Sequence, residues 1–269
     1  MGKSQCVEPV RFPNPATTSK IARLKPPPPH RLTILLEDAD RIAIDKPPGL
    51  AAIPGRGETD SVLERLGEQV GQKLLVVHRL DKDTSGVMLF ARHRDAQRQL
   101  SHQFQNNTVQ KEYLALVMGR PPQDEGEIDA PIGVNPANKL KMSVRRHEGR
   151  PARTLWKIEK RFRDFTLLRV FPRTGKTHQI RVHLSHIGLP LAIDPLYGSG
   201  SNSIALSNLK RGYRLKTGET ERPLMERLTL HAERLSFVGQ DNQPITIHAP
   251  LPRDFRAVLN QLSKVQPIG

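Results

Sequence analysis

The 269-residue sequence has a single cysteine, Cys6, and no long apolar run. One cysteine cannot form an intramolecular disulfide, and it excludes a zinc site built from cysteines. No stretch is apolar for long enough to cross a bilayer, and the N-terminus lacks the apolar centre of a signal peptide. We therefore expect a cytoplasmic protein, without a membrane partner, that works in a reducing compartment.

Motifs of several common catalytic sites are also missing. The nucleophile pattern Gly-x-Ser-x-Gly is absent. Residues 175–177 (Gly-Lys-Thr) are similar to the end of a phosphate-binding loop, but Val170 stands where that motif needs another glycine. His178, His183 and His186 lack His-Glu-x-x-His spacing, and positions 178 and 183 would lie about 140° apart on a helix. The sequence therefore predicts neither a nucleotide loop nor a metal site.

Acidic residues are few beside the basic ones, 27 against 42, which gives a formal charge of +15. Such an excess favours a polyanionic partner, because each neutralised phosphate releases a condensed counterion. Solubility alone would also explain it. The proportions of hydrophobic and charged residues, 36% and 26%, are typical of a globular protein with a sizeable core.

The first 30 residues differ in composition from the rest. Residues 1–30 are basic and end in Pro26–Pro29, a run that lacks backbone donors and prefers an extended conformation. We expect a flexible tail, with order beginning near Leu32. Residues 31–269 are then expected to form one domain.

Hydrophobic patterning predicts an α+β fold. Apolar runs and alternations predict strands at residues 34–36, 42–44, 74–77, 87–91, 113–118, 165–171, 228–230 and 245–247. Helical spacing predicts helices at residues 96–104, 180–187 and from 254 onward. Because strands dominate without regular βαβ units, we expect a mixed, largely antiparallel sheet with flanking helices. Residues 135–153 and 199–223 are basic and resist assignment.

The densest polar cluster between apolar runs is residues 78–86. It contains Asp81, which should lie in a loop held between two buried strands, a common setting for catalytic groups. A loop of this composition is nevertheless usually only a solvated turn. Tyr113 lies at the start of a buried strand, where a tyrosine is more often a core residue than a catalytic one.

Several motifs, in one order, resemble the signatures of the RluA-type pseudouridine synthases. They are Asp45-Lys-Pro-Pro-Gly49, His78-Arg-Leu-Asp-Lys-Asp-Thr-Ser-Gly86, Lys111-Glu-Tyr-Leu-Ala115, Gly175-Lys-Thr-His-Gln-Ile-Arg-Val-His-Leu184, Asp194-Pro-Leu-Tyr-Gly198 and Leu230-His-Ala232. The resemblance covers residues 33–255. His78 fits this branch better than the sister RsuA group, which has glycine there. No S4-type RNA-binding module is recognisable before the domain.

The resemblance implies a pseudouridine synthase fold and three catalytic residues. Asp81 would start the reaction at the ribose, either by attacking C1′ or by removing a proton from C2′. An ionised carboxylate in a water-poor pocket needs a neighbouring cation, and the resemblance assigns that role to Arg181 in a buried pair. Tyr113 would lie against the uracil, stacking on it and accepting a proton from C5.

The resemblance also implies substrate contacts and a cofactor-free reaction on structured RNA, rRNA or tRNA. Arg79 would fill the space that a flipped uridine leaves, because a stacked base cannot reach such a pocket. Lys111 and His178 would shape the pocket or contact phosphate, and residues 139–153 would follow the RNA backbone. We expect a monomer that needs no protein partner.

Two other functions remain open from the residues alone. One is a non-catalytic RNA-binding or RNA-folding protein on the same scaffold. Binding does not require Asp81, Tyr113 and Arg181 together, so their joint presence argues against it. The other is hydrolysis of the N-glycosidic bond, which uses similar acid chemistry but must admit water.

Overall fold

The computed structural model describes residues 31–55, 60–198, 200–210, 212–213, 218, 220–239 and 242–267. The predicted tail, residues 1–30, lies outside these ranges. None of the helices within them combines the length and apolar character that crossing a membrane requires.

Most strands join one sheet. The strands are β1 (Thr33–Glu37), β2 (Arg41–Lys46), β3 (Leu75–Val76), β4 (Ser85–Ala91), β5 (Gln110–Met118), β6 (Glu125–Asp129), β7 (Ile132–Asn135), β8 (Asn138–Val144), β9 (Arg153–Arg161), β10 (Phe165–Pro172), β11 (Leu230–Val238) and β12 (Pro244–His248). The sheet order is β1-β2-β4-β11-β5-β10-β9-β6, with β3 beside β4 and β12 beside β11. Strands β4 and β11 are parallel, whereas the other pairs are antiparallel. Strands β7 and β8 form a separate hairpin. The expected mixed, largely antiparallel α+β fold is confirmed.

The helices follow recognisable end signals. They are α1 (Val62–Val70), α2 (Arg94–Gln105), α3 (Gln179–His186), α4 (Leu206–Leu209) and α5 (Arg253–Val265). The Ser61 hydroxyl accepts a hydrogen bond from the Glu64 N–H at 3.3 Å and so caps the start of α1. Gly71 ends that helix in the left-handed conformation, with φ 64°.

Opposite faces of the sheet bury different helices. Successive side chains of a strand point to opposite faces. Accordingly, Leu114 of β5 packs in a cluster with Phe255 of α5, whereas the next residue, Ala115, packs with Ile180 of α3. The sheet is therefore covered by α5 on one side and by α3 on the other.

The polar cluster predicted to be a loop joins β3 to β4, and its residues 77–84 are called the Asp81 loop below. Directly after it, Gly86 has φ 116°. A Cβ atom at Gly86 would lie 2.1 Å from the carbonyl oxygen of Ala232 in β11. Only glycine therefore allows β4 and β11 to approach here, at the point where the loop enters the sheet.

Some sequence expectations need correction. The predicted strand at residues 228–230 is wrong, because β11 begins at Leu230 and continues to Val238. Glu233 and Arg234 interrupt its apolar pattern, and their partners lie on other strands. Strands β6 and β9 and helix α1 were not predicted.

The structure describes one of the two unassigned segments completely and the other only in part. Residues 135–153 contain most of the hairpin β7–β8. Residues 199–223 contain α4 and lie partly outside the described ranges.

Candidate active site

A cleft of about 490 Å³ opens where the Asp81 loop, the end of α2, the loop after β10 and the first turn of α3 meet. Among the described residues that line it, the cations are Arg79, Lys111, Lys176 and Arg181. The one carboxylate in this lining is Asp81. The cleft therefore presents a positive wall to an anionic ligand, with a single acid inside it.

The structure brings Asp81 and Arg181 together from positions a hundred residues apart. Nη1 of Arg181 donates to Oδ2 of Asp81 at 3.3 Å. The Arg181 side chain is 5% exposed, but that of Asp81 is 26% exposed and faces the cleft. The expectation of a pair that is buried on both sides therefore needs correction: the arginine is buried, and the acid lies at the cavity wall.

A second carboxylate, Asp194, holds Arg181 more tightly than Asp81 does. Nε and Nη2 of Arg181 donate to the two Asp194 oxygens at 2.8 and 2.7 Å, a bidentate geometry. The Asp194 side chain is fully buried, and it also accepts the backbone N–H groups of Leu196 and Tyr197. No role was predicted for Asp194, although the residue opens one of the motifs quoted above.

The side chain of Lys46 holds the Asp81 loop in place by a hydrogen bond to its backbone. This side chain is fully buried, and Nζ donates to the carbonyl groups of Pro47 and Lys82 at 2.8 and 2.7 Å. The Gly49 N–H donates to the same Lys82 carbonyl at 3.0 Å. Burial lowers the pKa of Lys46 to about 7, although Asp83 and Asp81 oppose the shift. A neutral amine still has two donors, so both hydrogen bonds survive loss of the proton.

Tyr113 lies in the cleft wall on β5, between Ala232 and Val170 of the neighbouring strands. Burial raises the pKa of its phenol, and the negative charge of Asp81 raises it further. The phenol is therefore protonated at neutral pH. A protonated phenol favours stacking on the uracil ring, and it argues against the expected role of Tyr113 as the acceptor of the C5 proton.

His78 and Arg79, the two residues before Leu80, have different surroundings. His78 stacks on Phe104, with ring centroids 4.5 Å apart, and its Nε2 accepts the Leu89 N–H at 2.9 Å. Burial lowers the pKa of His78 to about 3, and Lys111 adds to the shift. His78 is thus a neutral structural group. Arg79 is exposed at the cleft mouth, with Nη2 donating to Oγ1 of Thr177 at 3.4 Å.

Lys111 lines the same cleft. Its Nζ donates to the Thr174 carbonyl at 3.0 Å. Burial lowers the pKa of Lys111 to about 8, and the charges of Arg173 and Lys176 contribute. Lys111 and Lys176 therefore lie in the cleft wall with Arg173 close enough to act on the same charge, an arrangement that an anion would stabilise.

The three histidines of the α3 region are not equivalent. His178 precedes the helix with a left-handed φ of 54°, and its Nε2 lies 4.0 Å from Oδ2 of Asp81. His183 is fully buried and bonds to Thr154 and to the Ala130 carbonyl, whereas His186 is exposed. The described residues contain no cluster of three or more potential metal ligands.

Comparison with known proteins gives this geometry a family. The family model described as RNA pseudouridylate synthase matches residues 40–186, more than half of the chain. The chain is 39% identical over 243 residues to ribosomal large subunit pseudouridine synthase D of Xanthomonas campestris pv. campestris, covering 86% of this chain and 69% of that protein. It is 39% identical over 238 residues to the protein of the same name from Nitrosomonas europaea, covering 86% and 65%.

A further relative is ribosomal large subunit pseudouridine synthase C of Buchnera aphidicola, 36% identical over 233 residues, with 85% of this chain and 70% of that protein covered. The chain thus spans about two thirds of the length of these relatives. Among solved structures, human RNA Pseudouridylate Synthase Domain Containing 4 aligns with a TM-score of 0.65 and 26% identity, over 86% of this chain and 92% of that one. Human RNA Pseudouridylate Synthase Domain Containing 1 shares the fold, with a TM-score of 0.66 and 23% identity over 85% and 87%.

Fold and relatives together define an RNA-modifying isomerase. The chain belongs to the RNA pseudouridylate synthase family, whose members convert uridine in RNA to pseudouridine. The resemblance indicated by the sequence motifs is therefore confirmed.

Proposed function

We propose that this chain isomerises uridine in ribosomal large-subunit RNA and that Asp81 starts the reaction. The observation that carries the assignment is a single carboxylate, held by a buried arginine, in a cleft whose described lining residues include four cations and no other acidic residue. The substrate class follows from the names of the relatives, ribosomal large subunit pseudouridine synthases C and D. Structured tRNA is the alternative substrate.

The reaction requires only that bonds be exchanged within one nucleotide. The N1–C1′ bond breaks, the uracil turns, and a C5–C1′ bond forms. The C5 proton then leaves and N1 ends protonated, so atoms and electrons balance without a redox partner. Asp81 acts at the ribose, as a nucleophile at C1′ or as a base at C2′, and both roles need an ionised carboxylate.

The positions of Arg181 and Tyr113 beside Asp81 support the catalytic roles proposed for them. Arg181 keeps Asp81 charged and oriented, because its own orientation is fixed by Asp194. The Tyr113 phenol is protonated and therefore does not accept the C5 proton; instead the ring stacks on the uracil.

Entry of the uridine requires flipping it out of the RNA. Arg79, exposed at the cleft mouth, fills the vacated space. Lys111 and His178 contact the flipped nucleotide inside the cleft. The basic hairpin β7–β8 and the residues that follow it to position 153 contact phosphates along the RNA.

Some wider properties belong to the same proposal. Residues 31–269 act as one catalytic domain, which the basic, proline-rich residues 1–30 precede. We propose a cytoplasmic monomer that acts without an obligatory protein partner or cofactor.

Tritium release tests the proposal. Protein-free large-subunit rRNA, small-subunit rRNA and tRNA, each labelled with 5-tritiated uridine, are incubated with the wild type and with Asp81→Asn. We expect release from large-subunit RNA, and a loss of at least about a thousandfold in the variant because the initiating group is gone. Asp95→Asn, on the exposed part of α2, is the matched control and should retain full activity.

Each other outcome has a defined meaning. Activity that survives in a folded Asp81→Asn variant removes Asp81 from the mechanism. Release from tRNA alone contradicts the proposed substrate, and free uracil in the products indicates hydrolysis instead of isomerisation.

A further inference from the structure

The Tyr197 side chain lies between the hairpin β7–β8 and the cleft, and its backbone is firmly held. The Tyr197 N–H donates to Oδ1 of Asp194 at 3.1 Å, and its carbonyl accepts the Ser185 hydroxyl at 3.1 Å. The ring lies against the guanidinium of Arg181, with Cζ 5.0 Å from the ring centroid. Tyr197 is therefore anchored to the same carboxylate that orients Arg181.

The Tyr197 hydroxyl has two partners, and together they fix the direction of its proton. It accepts the backbone N–H of Met142 in β8 at 2.8 Å. It also lies 2.8 Å from Nδ1 of His178. A hydroxyl that already accepts one hydrogen bond is free to donate its own proton, so Nδ1 is assigned as the acceptor.

That assignment decides where the imidazole proton lies. A neutral imidazole with an unprotonated Nδ1 carries its proton on Nε2. Burial lowers the pKa of His178 although Asp81 opposes the shift, so the ring is neutral at physiological pH. The Nε2 atom lies 4.0 Å from Oδ2 of Asp81, which is too long for a hydrogen bond but close enough for an electrostatic contact between the N–H and the carboxylate.

We propose that Tyr197 is a positioning residue for the isomerisation: its hydroxyl holds His178 in the Nε2–H tautomer and thereby steers the Asp81 carboxylate. The inference rests on the proposed role of Asp81. Oδ2 of Asp81 then has a hydrogen bond from Nη1 of Arg181 at 3.3 Å and an electrostatic contact with Nε2 of His178 at 4.0 Å. A second N–H group near the carboxylate restricts its rotation more than one group does, and an attacking oxygen must be held in a narrow range of positions.

The same hydroxyl connects the cleft to the hairpin. It bonds both to the Met142 N–H of β8 and to Nδ1 of His178, so the imidazole beside Asp81 is joined through Tyr197 to the backbone of the hairpin.

The tautomer is directly measurable, with or without activity. Nitrogen-15 NMR of the protein labelled at histidine nitrogens distinguishes protonated from unprotonated ring nitrogens. We expect His178 of the wild type to be protonated at Nε2 only, and Tyr197→Phe to show a mixture of tautomers. His178→Gln identifies the resonance. A wild-type His178 protonated at Nδ1 overturns the proposal.

Kinetics tests whether the tautomer matters for the reaction. Tyr197→Phe keeps the ring against Arg181 and removes only the hydroxyl. We expect kcat for tritium release to fall about fivefold, the worth of one typical hydrogen bond, with KM unchanged. Tyr213→Phe, a tyrosine that does not line the cleft, is the matched control and should retain wild-type kcat.

A double-mutant cycle separates positioning from simple support of the hairpin. A glutamine at position 178 carries an amide N–H near the site of Nε2 and has no tautomers. In a His178→Gln background, Tyr197→Phe should therefore change kcat by less than about twofold. A fivefold loss that persists in this background, or a rise in KM with unchanged kcat, assigns Tyr197 to hairpin support and refutes the proposal.

The proposal and the role of Asp81 can fail separately. Wild-type activity in Asp81→Asn refutes the catalytic assignment, whatever the tautomer. An inactive Asp81→Asn combined with full kcat in Tyr197→Phe refutes only the positioning role.

Discussion

Arg181 and Arg169 are both largely buried arginines, but their donors face different surroundings. Arg181 donates twice to the fully buried Asp194 and once to Asp81 at the cleft wall. Arg169 of β10 pairs with carboxylates from three other strands, Glu112, Glu159 and Glu233. Two of those, Glu112 and Glu233, are at most 12% exposed, and the other is partly open to solvent.

The comparison shows that charge burial alone does not mark a functional site. Both arginines make the strong, planar contacts expected of a guanidinium. Of the two, Arg181 is the one with a partner in the lining of the cleft, and that partner is the proposed initiating group. The Arg169 cluster completes its ion pairs within the sheet, where it links β5, β9, β10 and β11.

Arg181→Met should have the largest effect, because it removes both functions at once. It leaves the buried Asp194 without a cation, at a cost of about 3–5 kcal/mol in the free energy of unfolding. It should also lower tritium release by at least about a hundredfold, since Asp81 loses its oriented donor. Urea denaturation and the release assay measure the two effects. A stable, active variant would contradict the assigned role.

Arg169→Met should destabilise the protein to a similar extent without affecting catalysis. Glu112 and Glu233 would remain buried with only their longer contacts to Arg234 and His248, at 3.6 and 3.7 Å, at a cost of up to about 3–5 kcal/mol. The kcat of the folded protein, measured at low temperature, should be unchanged. The control is Arg163→Met, which removes an exposed ion pair with Asp164. It should lower the free energy of unfolding by at most about 1 kcal/mol. A large loss of kcat in Arg169→Met would remove the distinction between the two regions.

The smallest expected effect is on acid stability and belongs to the Arg169 cluster. Burial alone would raise the pKa of Glu233, but His248 and Arg169 outweigh it and lower the pKa from 4.5 to about 2. A carboxyl whose pKa is lower in the folded state stabilises the fold above its unfolded pKa, and the contribution is lost as pH falls. The stability difference between the wild type and Glu233→Gln should therefore shrink between pH 4.5 and 2 in urea titrations. A difference independent of pH would show that Glu233 does not contribute through its charge.

Local patterning was sufficient to predict the surroundings of Asp81. Two apolar runs flank a cluster rich in turn-forming residues, and the structure has β3 and β4 on either side of that loop. The helix over residues 180–187 was predicted because its apolar residues recur at helical spacing. Those signals are local, since they depend on neighbours within a few positions along the chain.

The charged strand residues were not predictable in this way. Arg169 interrupts an apolar strand. Because Glu233 and Arg234 interrupt the apolar pattern of β11, most of that strand was not predicted. Their partners come from strands far away in sequence, so no local pattern distinguishes a paired charge from a solvated one. Asp194 shows the same limit inside the site, because its role as the anchor of Arg181 depends on the fold of α3 and the chain that follows it.

The sequence by itself determined the family and the α+β class, and it indicated Asp81 as the proposed initiating acid, because ordered motifs and strand periodicity depend on adjacent residues. Tertiary structure alone decided that Arg181 is anchored by Asp194 and that the Tyr197 hydroxyl lies between His178 and Met142. It also decided that Asp81 faces an open cleft while Arg169 pairs with carboxylates of other strands within the sheet. The physical reason is that these properties depend on distances and solvent exposure between residues that only folding brings together.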